Sequence, residues 1–284
     1  MHSTTHNQPQ PSPRSLLPRG EGLPLAAMHP LAPNPPAKSR LVTWQDWAGT
    51  AAERFRLLAA RLVRWRDSTP GPARRVLACT SSMQGEGKTV AVANLALALA
   101  RATQARVLLI EGDLRQPGDR SSMERLWGLP HLSGLGDWIA VGAGAKSAAP
   151  PSLQPFLHKL GPADLFLLPA GSPINAPLEF LNSEAAAQCL ASLALTFDWI
   201  LIDTPPLLPL ADAQAWCRCA DGMLLVVREG WTRRPLLQRA LRGADRSRLV
   251  GVLVNSSLEA ERDCRRWPPA RAHLPLHLPA AHRS

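Results

Sequence analysis

The stretch Ser81-Ser82-Met83-Gln84-Gly85-Glu86-Gly87-Lys88-Thr89 lies between an apolar run at 76–80 and a segment, 88–103, that is apolar nearly all round. The run reads as a buried strand and the segment as a buried helix. A glycine-rich turn from strand to helix, with Lys-Thr opening the helix, is the setting in which a phosphate-binding P-loop is recognised. Gly85 and Gly87 let the backbone approach phosphates and turn N–H groups toward them, and Glu86 and Val90 are expected with them among the nucleotide-binding residues. The positive end of the helix adds to the attraction for anionic oxygens. Lys88 is expected to reach the β- and γ-phosphates, and the Thr89 hydroxyl to ligate magnesium. Ser82 stands where the strict pattern has glycine, a mild departure because a small residue fits there.

Outward from this loop the chain alternates short apolar runs with helical stretches. Strands are expected at 107–110, 165–168, 199–202, 223–227 and 249–254. Continuous apolar strands separated by helices indicate a parallel sheet covered on both faces. The fold class is therefore α/β: a doubly wound, mostly parallel sheet with helices on both faces, as in P-loop nucleotide triphosphatases. In such a sheet ligands sit at the carboxyl ends of the strands. Asp203 ends the run Trp199-Ile200-Leu201-Ile202, and Glu111 and Asp113 follow 107–110 in the same way, so all three carboxylates are candidates for the metal and its water. Guanine-binding relatives carry Asn-Lys-x-Asp after a late strand. Here Asn255 is followed by Ser256, Ser257 and Leu258, so ATP with Mg²⁺ is the expected pair.

With 284 residues and 45% hydrophobic content, the chain has room for one α/β domain plus tails. We divide it into a disordered proline-rich leader at 1–46, a nucleotide-binding domain at 47–260 that begins with an interface helix over 47–66, and a flexible basic tail at 261–284. The formal charge is +10, a balance that suits nucleic acid or an anionic membrane surface. Much of the excess lies in the flanks, at Arg14, Arg19, Lys38, Arg40, Arg262, Arg265, Arg266, Arg271 and Arg283, which read as solvated; DNA is not an expected partner. Five scattered cysteines form neither a metal pattern nor a disulfide framework, and His273 and His277 are separated by Pro275, against a helical metal pair. No apolar run approaches the ~20 residues needed to span a bilayer, so a cytoplasmic location is expected, with any membrane association through a partner or surface charge.

On these residues the chain resembles the bacterial tyrosine kinases of capsule and exopolysaccharide clusters, over about 49–257. Ser82 to Thr89 is similar to their Walker A segment, with Gln84 where proline is usual. Leu108-Leu109-Ile110-Glu111-Gly112-Asp113-Leu114-Arg115-Gln116-Pro117 resembles their second acidic motif, and Ile202-Asp203-Thr204-Pro205-Pro206 with Asp212 their Walker B region. Pro169-Ala170-Gly171 with Asn175 and Glu179, and Asp221-Gly222 leading to Val226-Val227-Arg228, match the segments between.

The resemblance implies that Lys88, Glu111, Asp113 and Asp203 are catalytic, that Thr89, Asp113 and Asp203 handle magnesium, and that Asn255 lies near adenine. It also implies activation by a transmembrane polysaccharide co-polymerase (a chain-length determinant), which is also a candidate substrate. That places the chain at the inner face of the plasma membrane. Glu53 and Arg56 resemble the start of the family's oligomerisation motif Glu-x-x-Arg-x-x-Arg, which implies a homo-oligomer. Three features depart from the pattern. Glu111 replaces the usual aspartate, Ala59 stands where the last arginine of the oligomer motif belongs, and the chain contains no tyrosine, so it cannot be its own tyrosine substrate.

Three readings use these residues. The first is a kinase acting on another protein, or a switch that only binds and hydrolyses ATP. The second is a partition or positioning ATPase of the Min/Par type, whose additional lysine near the start of the P-loop is absent from Ser81-Ser82-Met83. The third is a nucleotide-binding scaffold without turnover, motivated by Glu111.

Overall fold

A computed structural model describes residues 23–25, 28, 30–68, 74–115, 121–144, 151–209 and 211–256. Most of the expected leader and all of the basic tail, with His273, His277 and Cys264, lie outside the described residues, as do Gln116 and Pro117. In chain order the elements are α1 (Val42–Gln45), α2 (Thr50–Asp67), β1 (Val76–Ser81), α3 (Lys88–Thr103), β2 (Val107–Glu111), α4 (Ser122–Trp127), α5 (Leu135–Gly144), β3 (His158–Lys159) and β4 (Leu165–Leu168). There follow α6 (Pro177–Leu181), α7 (Glu184–Thr196), β5 (Trp199–Asp203), α8 (Ala211–Cys219), β6 (Gly222–Arg228), α9 (Arg234–Gly243) and β7 (Leu249–Asn255).

The seven strands form one sheet in the order β3-β4-β2-β5-β1-β6-β7. Every pairing is parallel except that of β3 with β4. Strands β1, β2, β4 and β5 are buried at every position because helices cover both faces. One apolar layer packs α1, α2, α3 and α4 on the sheet, and the other packs α5 to α9. Helix α3 is buried continuously from Ala91 to Ala100, so it has no polar face. Each large side chain buried there contributes on the order of 2 kcal/mol.

Two aspartates set the strand starts. Oδ2 of Asp221 accepts from the N–H groups of Arg75 (2.7 Å) and Val76 (2.8 Å), and Oδ2 of Asp198 accepts from Arg106 N–H at 2.9 Å. Both pairs satisfy backbone donors that the first rung of a parallel ladder leaves open. At Gly222 a Cβ would lie 2.4 Å from Val250 and 3.0 Å from Trp65, so only glycine lets β6 and α2 approach this closely.

One expectation is corrected. Residues 30–46, assigned to a disordered leader, pack on the domain. Leu31 N–H donates to Lys159 carbonyl (2.8 Å), Asn34 N–H to Trp127 carbonyl (3.0 Å), and Leu41 and Thr43 are fully buried. The anchor is the side chain of Asn94, inside α3. Its Oδ1 accepts from Thr43 N–H (3.0 Å) and Thr43 Oγ1 (2.9 Å), while Nδ2 donates to Arg40 carbonyl (3.0 Å). A mostly irregular segment with one short helical turn needs no long periodicity when a buried amide supplies its hydrogen bonds, and composition alone reads such a segment as unstructured.

Candidate active site

Strand β1 ends at Ser81 and α3 begins at Lys88, and the loop between them turns on two left-handed glycines, Gly85 (φ 87°) and Gly87 (φ 86°). A side chain at 87 would also strike Nδ2 of Asn255 at 2.1 Å. The loop is held from beneath by Glu86, which is 1% exposed. Its Oε2 accepts from Met83 N–H at 3.0 Å and its Oε1 from the Thr232 hydroxyl. From the β6 and β7 side, Asn255 Nδ2 donates to Glu86 carbonyl (2.9 Å) and Arg228 Nη1 to Gly85 carbonyl (3.4 Å). Glu86 is thus a brace within the loop. Thr232 carries no motif signal of its own, and only its contact with Glu86 marks it.

Lys88, Thr89 and Val90 form the half-buried first turn of α3. The Thr89 hydroxyl donates to Oδ2 of Asp203 at 2.7 Å, and Oδ1 of the same carboxylate is buried without a hydrogen-bond partner among the described residues. Burial pushes the Asp203 pKa up, the Lys88 charge and the Thr89 bond pull it down, and Asp113 adds repulsion. An unpartnered carboxylate oxygen in a buried site costs free energy unless a cation or donor meets it. The donor set, one hydroxyl and one hard carboxylate oxygen beside a phosphate loop, fits Mg²⁺. Among the described residues no group of three or more His, Cys, Asp and Glu stands ready to hold a metal. A metal here would therefore draw further oxygens from nucleotide and water.

Glu111 is the register partner of Asp203 across β2 and β5. It is 1% exposed, and both of its oxygens are engaged: Oε1 accepts from Met123 N–H (3.1 Å) and Oε2 from Ala170 N–H (3.3 Å). Burial raises its pKa to about 7, against the opposing hydrogen bonds from Ser121, Met123 and Ala170. Its carboxylate therefore joins the sheet edge to the start of α4 and to the loop after β4. Asp113, two residues on, is half-buried.

Helix α8 fixes the backbone that carries these acids. Trp216 Nε1 donates to Gly112 carbonyl at 2.9 Å, and Gly112 N–H donates to Asp203 carbonyl at 2.8 Å. Asp212, 2% exposed, receives Arg115 through Nε (2.5 Å) and Nη2 (3.2 Å), a two-pronged charged bond. Trp216 was invisible to motif reading; a buried indole needs an acceptor, and that need is the one signal that could have drawn attention to it. The Glu53–Arg56 pair lies within α2, where Arg56 also reaches the Trp47 carbonyl, and Ala59 is fully buried.

No protein-family model matches the chain. It is 30% identical over 178 residues to the tyrosine-protein kinase YwqD of Bacillus subtilis (strain 168), an alignment covering 62% of this chain and 70% of that one. It is 32% identical over 183 residues to the tyrosine-protein kinase wzc of Salmonella typhimurium, covering 64% of this chain but only 24% of that longer one. Among solved structures, the BceF tyrosine kinase domain superposes with a TM-score of 0.61 at 25% identity, over 80% of this chain and 92% of that one. The septum site-determining protein MinD of Pyrococcus horikoshii, complexed with Mg-ADP, shares the fold at 20% identity, with a TM-score of 0.50 over 67% of this chain and 76% of that one.

Proposed function

Because this chain belongs to the bacterial tyrosine-protein kinase family, we propose that it is an ATP-dependent kinase acting on tyrosines of a partner protein. The observation that carries the reading is the Thr89–Asp203 hydrogen bond beside the glycine loop, with Oδ1 of Asp203 buried and without a hydrogen-bond partner among the described residues. In this reading the backbone of Gly85 to Thr89 cradles the phosphates, Lys88 neutralises charge growing on the transferred group, and Thr89, Asp203 and Asp113 hold Mg²⁺. When bound, that ion screens the phosphate oxygens. The attacking tyrosine oxygen forms a bond to the γ-phosphorus as the bond to the β,γ-bridging oxygen breaks, ADP leaves, and Asp113 takes the phenolic proton. Asn255, over the rim of the loop, borders the space for adenine.

These 284 residues hold no tyrosine, so in this reading the acceptor lies outside them. A transmembrane polysaccharide co-polymerase is the proposed activator and acceptor, which would station the chain at the inner face of the membrane. Among the described residues no helix is long and apolar enough to cross a membrane. Titration with ATP, with and without Mg²⁺, tests the site. Binding that needs Mg²⁺ and drops at least ~10-fold in Lys88→Ala supports the reading. Equal binding by that variant sinks it.

One observation favours a second reading, an ATPase switch. Both Glu111 oxygens are taken by backbone donors, so Glu111 is a strut, and Asp113 is left as the acid near the reacting atoms. Phosphate release without labelling of any protein would select the switch.

A further inference from the structure

Half of the net charge sits in one place. Residues 228–248 hold seven arginines against Glu229 and Asp245. Within α9 the sequence Arg-Pro-Leu-Leu-Gln-Arg-Ala-Leu-Arg-Gly divides the helix along its length. Ala240 is buried, and Leu237 and Leu241 pack on the core beside it. Arg234, Gln238, Arg239 and Arg242 are exposed and fall on a single arc of the opposite face at 100° per residue. Arg233 immediately precedes the helix and Arg246 follows it, both exposed.

Among the described residues none of Arg233, Arg234, Arg239 and Arg242 has an ion-pair partner. The contrast with α2, the other arginine-rich helix, is informative. There Arg56 pairs with Glu53 and Arg66 with Asp67. At the start of the α9 face Trp231 stands 60% exposed, with the Arg228 guanidinium in stacking range at 5.3 Å from its ring centroid.

We propose that the α9 face, with Trp231 at its edge, docks on an anionic membrane surface. A convex helix face offers no groove for a polypeptide. Its arginines spread over one arc where a plane of phosphate headgroups can meet them together. A protruding indole beside them suits the headgroup boundary, where an apolar ring with a polar edge is most stable. The face adjoins the phosphate loop, because Arg228 bonds Gly85 and Thr232 bonds Glu86. Docking there would set the mouth of the candidate site beside the bilayer. The proposal depends on the charge and shape of this face and stands apart from the kinase reading.

The test is co-sedimentation of the full chain with phosphatidylcholine vesicles, with and without 30 mol% phosphatidylglycerol (about a third anionic lipid, enough for a polybasic surface to respond). The chain is expected to partition onto the anionic vesicles alone. Neutralising Arg234, Arg239 and Arg242 to Gln should weaken that partition about 100-fold, at roughly fivefold per arginine. Trp231→Ala should weaken it further. A control neutralising Arg54, Arg61 and Arg64 on α2 removes the same charge from the opposite layer and should change partition by less than about fivefold. Equal loss in both triple variants, or equal binding to both kinds of vesicle, would overturn the proposal. So would binding of duplex DNA through the α9 arginines with no retention on anionic vesicles. Unchanged thermal unfolding of each variant shows that it is folded.

Discussion

Thr89 and Asp203, 114 residues apart in sequence, share a 2.7 Å hydrogen bond that uses one carboxylate oxygen and leaves the other buried without a hydrogen-bond partner among the described residues. A site built this way trades stability for a cation. Asp203→Asn keeps an acceptor for Thr89 and removes a buried charge. We expect the nucleotide-free variant to be more stable by about 1–2 kcal/mol, with Mg-ATP binding at least ~10-fold weaker. Thermal unfolding with and without Mg-ATP checks both parts. A variant that is destabilised yet binds Mg-ATP normally would contradict the account of the site.

Glu111 makes stability depend on pH. Its folded pKa is about 7, above the ordinary 4.5, chiefly through burial. Between those values the folded state holds a proton that the unfolded state releases, so stability from this group is full below about 4.5 and is lost as pH rises to about 7. The loss amounts to about 3 kcal/mol, at ~1.4 kcal/mol per unit. Denaturation of the protein in chelator from pH 4 to pH 8 should show that fall relative to Glu111→Gln, in which the group no longer titrates. Parallel profiles for the two proteins would refute it.

Restoring the family's aspartate at 111 should not help. The Glu111 side chain spans from the end of β2 to Met123 and Ala170, and a chain one methylene shorter leaves both N–H groups without their acceptor. Glu111→Asp is expected to cost about 1–3 kcal/mol in chemical denaturation. A gain in ATP turnover of tenfold or more in this variant would instead mark Glu111 as the residue that holds activity down.

Trp216 acts on the site through the backbone. Trp216→Phe removes the donor to Gly112 carbonyl and leaves that oxygen buried, at a cost of about 1–3 kcal/mol. Because Gly112 lies between Glu111 and Asp113, turnover should fall more than the affinity for ATP. Steady-state kinetics with a separate binding titration distinguishes this from simple loss of folded protein.

Ala59 shows why the oligomer motif stops short. It is fully buried against the α3 layer, so an arginine there would carry its charge into the core. Ala59→Arg should lower the unfolding midpoint, at a cost of several kcal/mol, without raising the molar mass measured by light scattering. A stable, larger assembly would mean that α2 can present this position outward.

The parts of the fold legible beforehand are those in which the chain's own pattern is the physical cause. Strands β1, β2, β4 and β5 are continuous apolar runs because both faces are covered, and α3 is apolar all round because it is enclosed. The glycine loop and Asp203 were legible because a strand end, a turn and a helix start fall together in sequence. Contacts distant in sequence were hidden. Asn94 looks like one polar residue in an apolar helix, yet it organises Arg40 and Thr43. Glu111 reads as a site acid by position, and only the fold brings it the N–H groups of Met123 and Ala170. The short helices α4 and α6, of six and five residues, are too brief to show a period.

Phosphoryl transfer in trans is the reaction proposed for this site. The most direct measurement mixes the full chain with γ-labelled ATP, Mg²⁺ and the cytoplasmic segment of a cognate co-polymerase, with Lys88→Ala in parallel. Label is expected on tyrosines of the partner, with none on this chain and none anywhere with Lys88→Ala. Bound ATP with no label on the partner would contradict it.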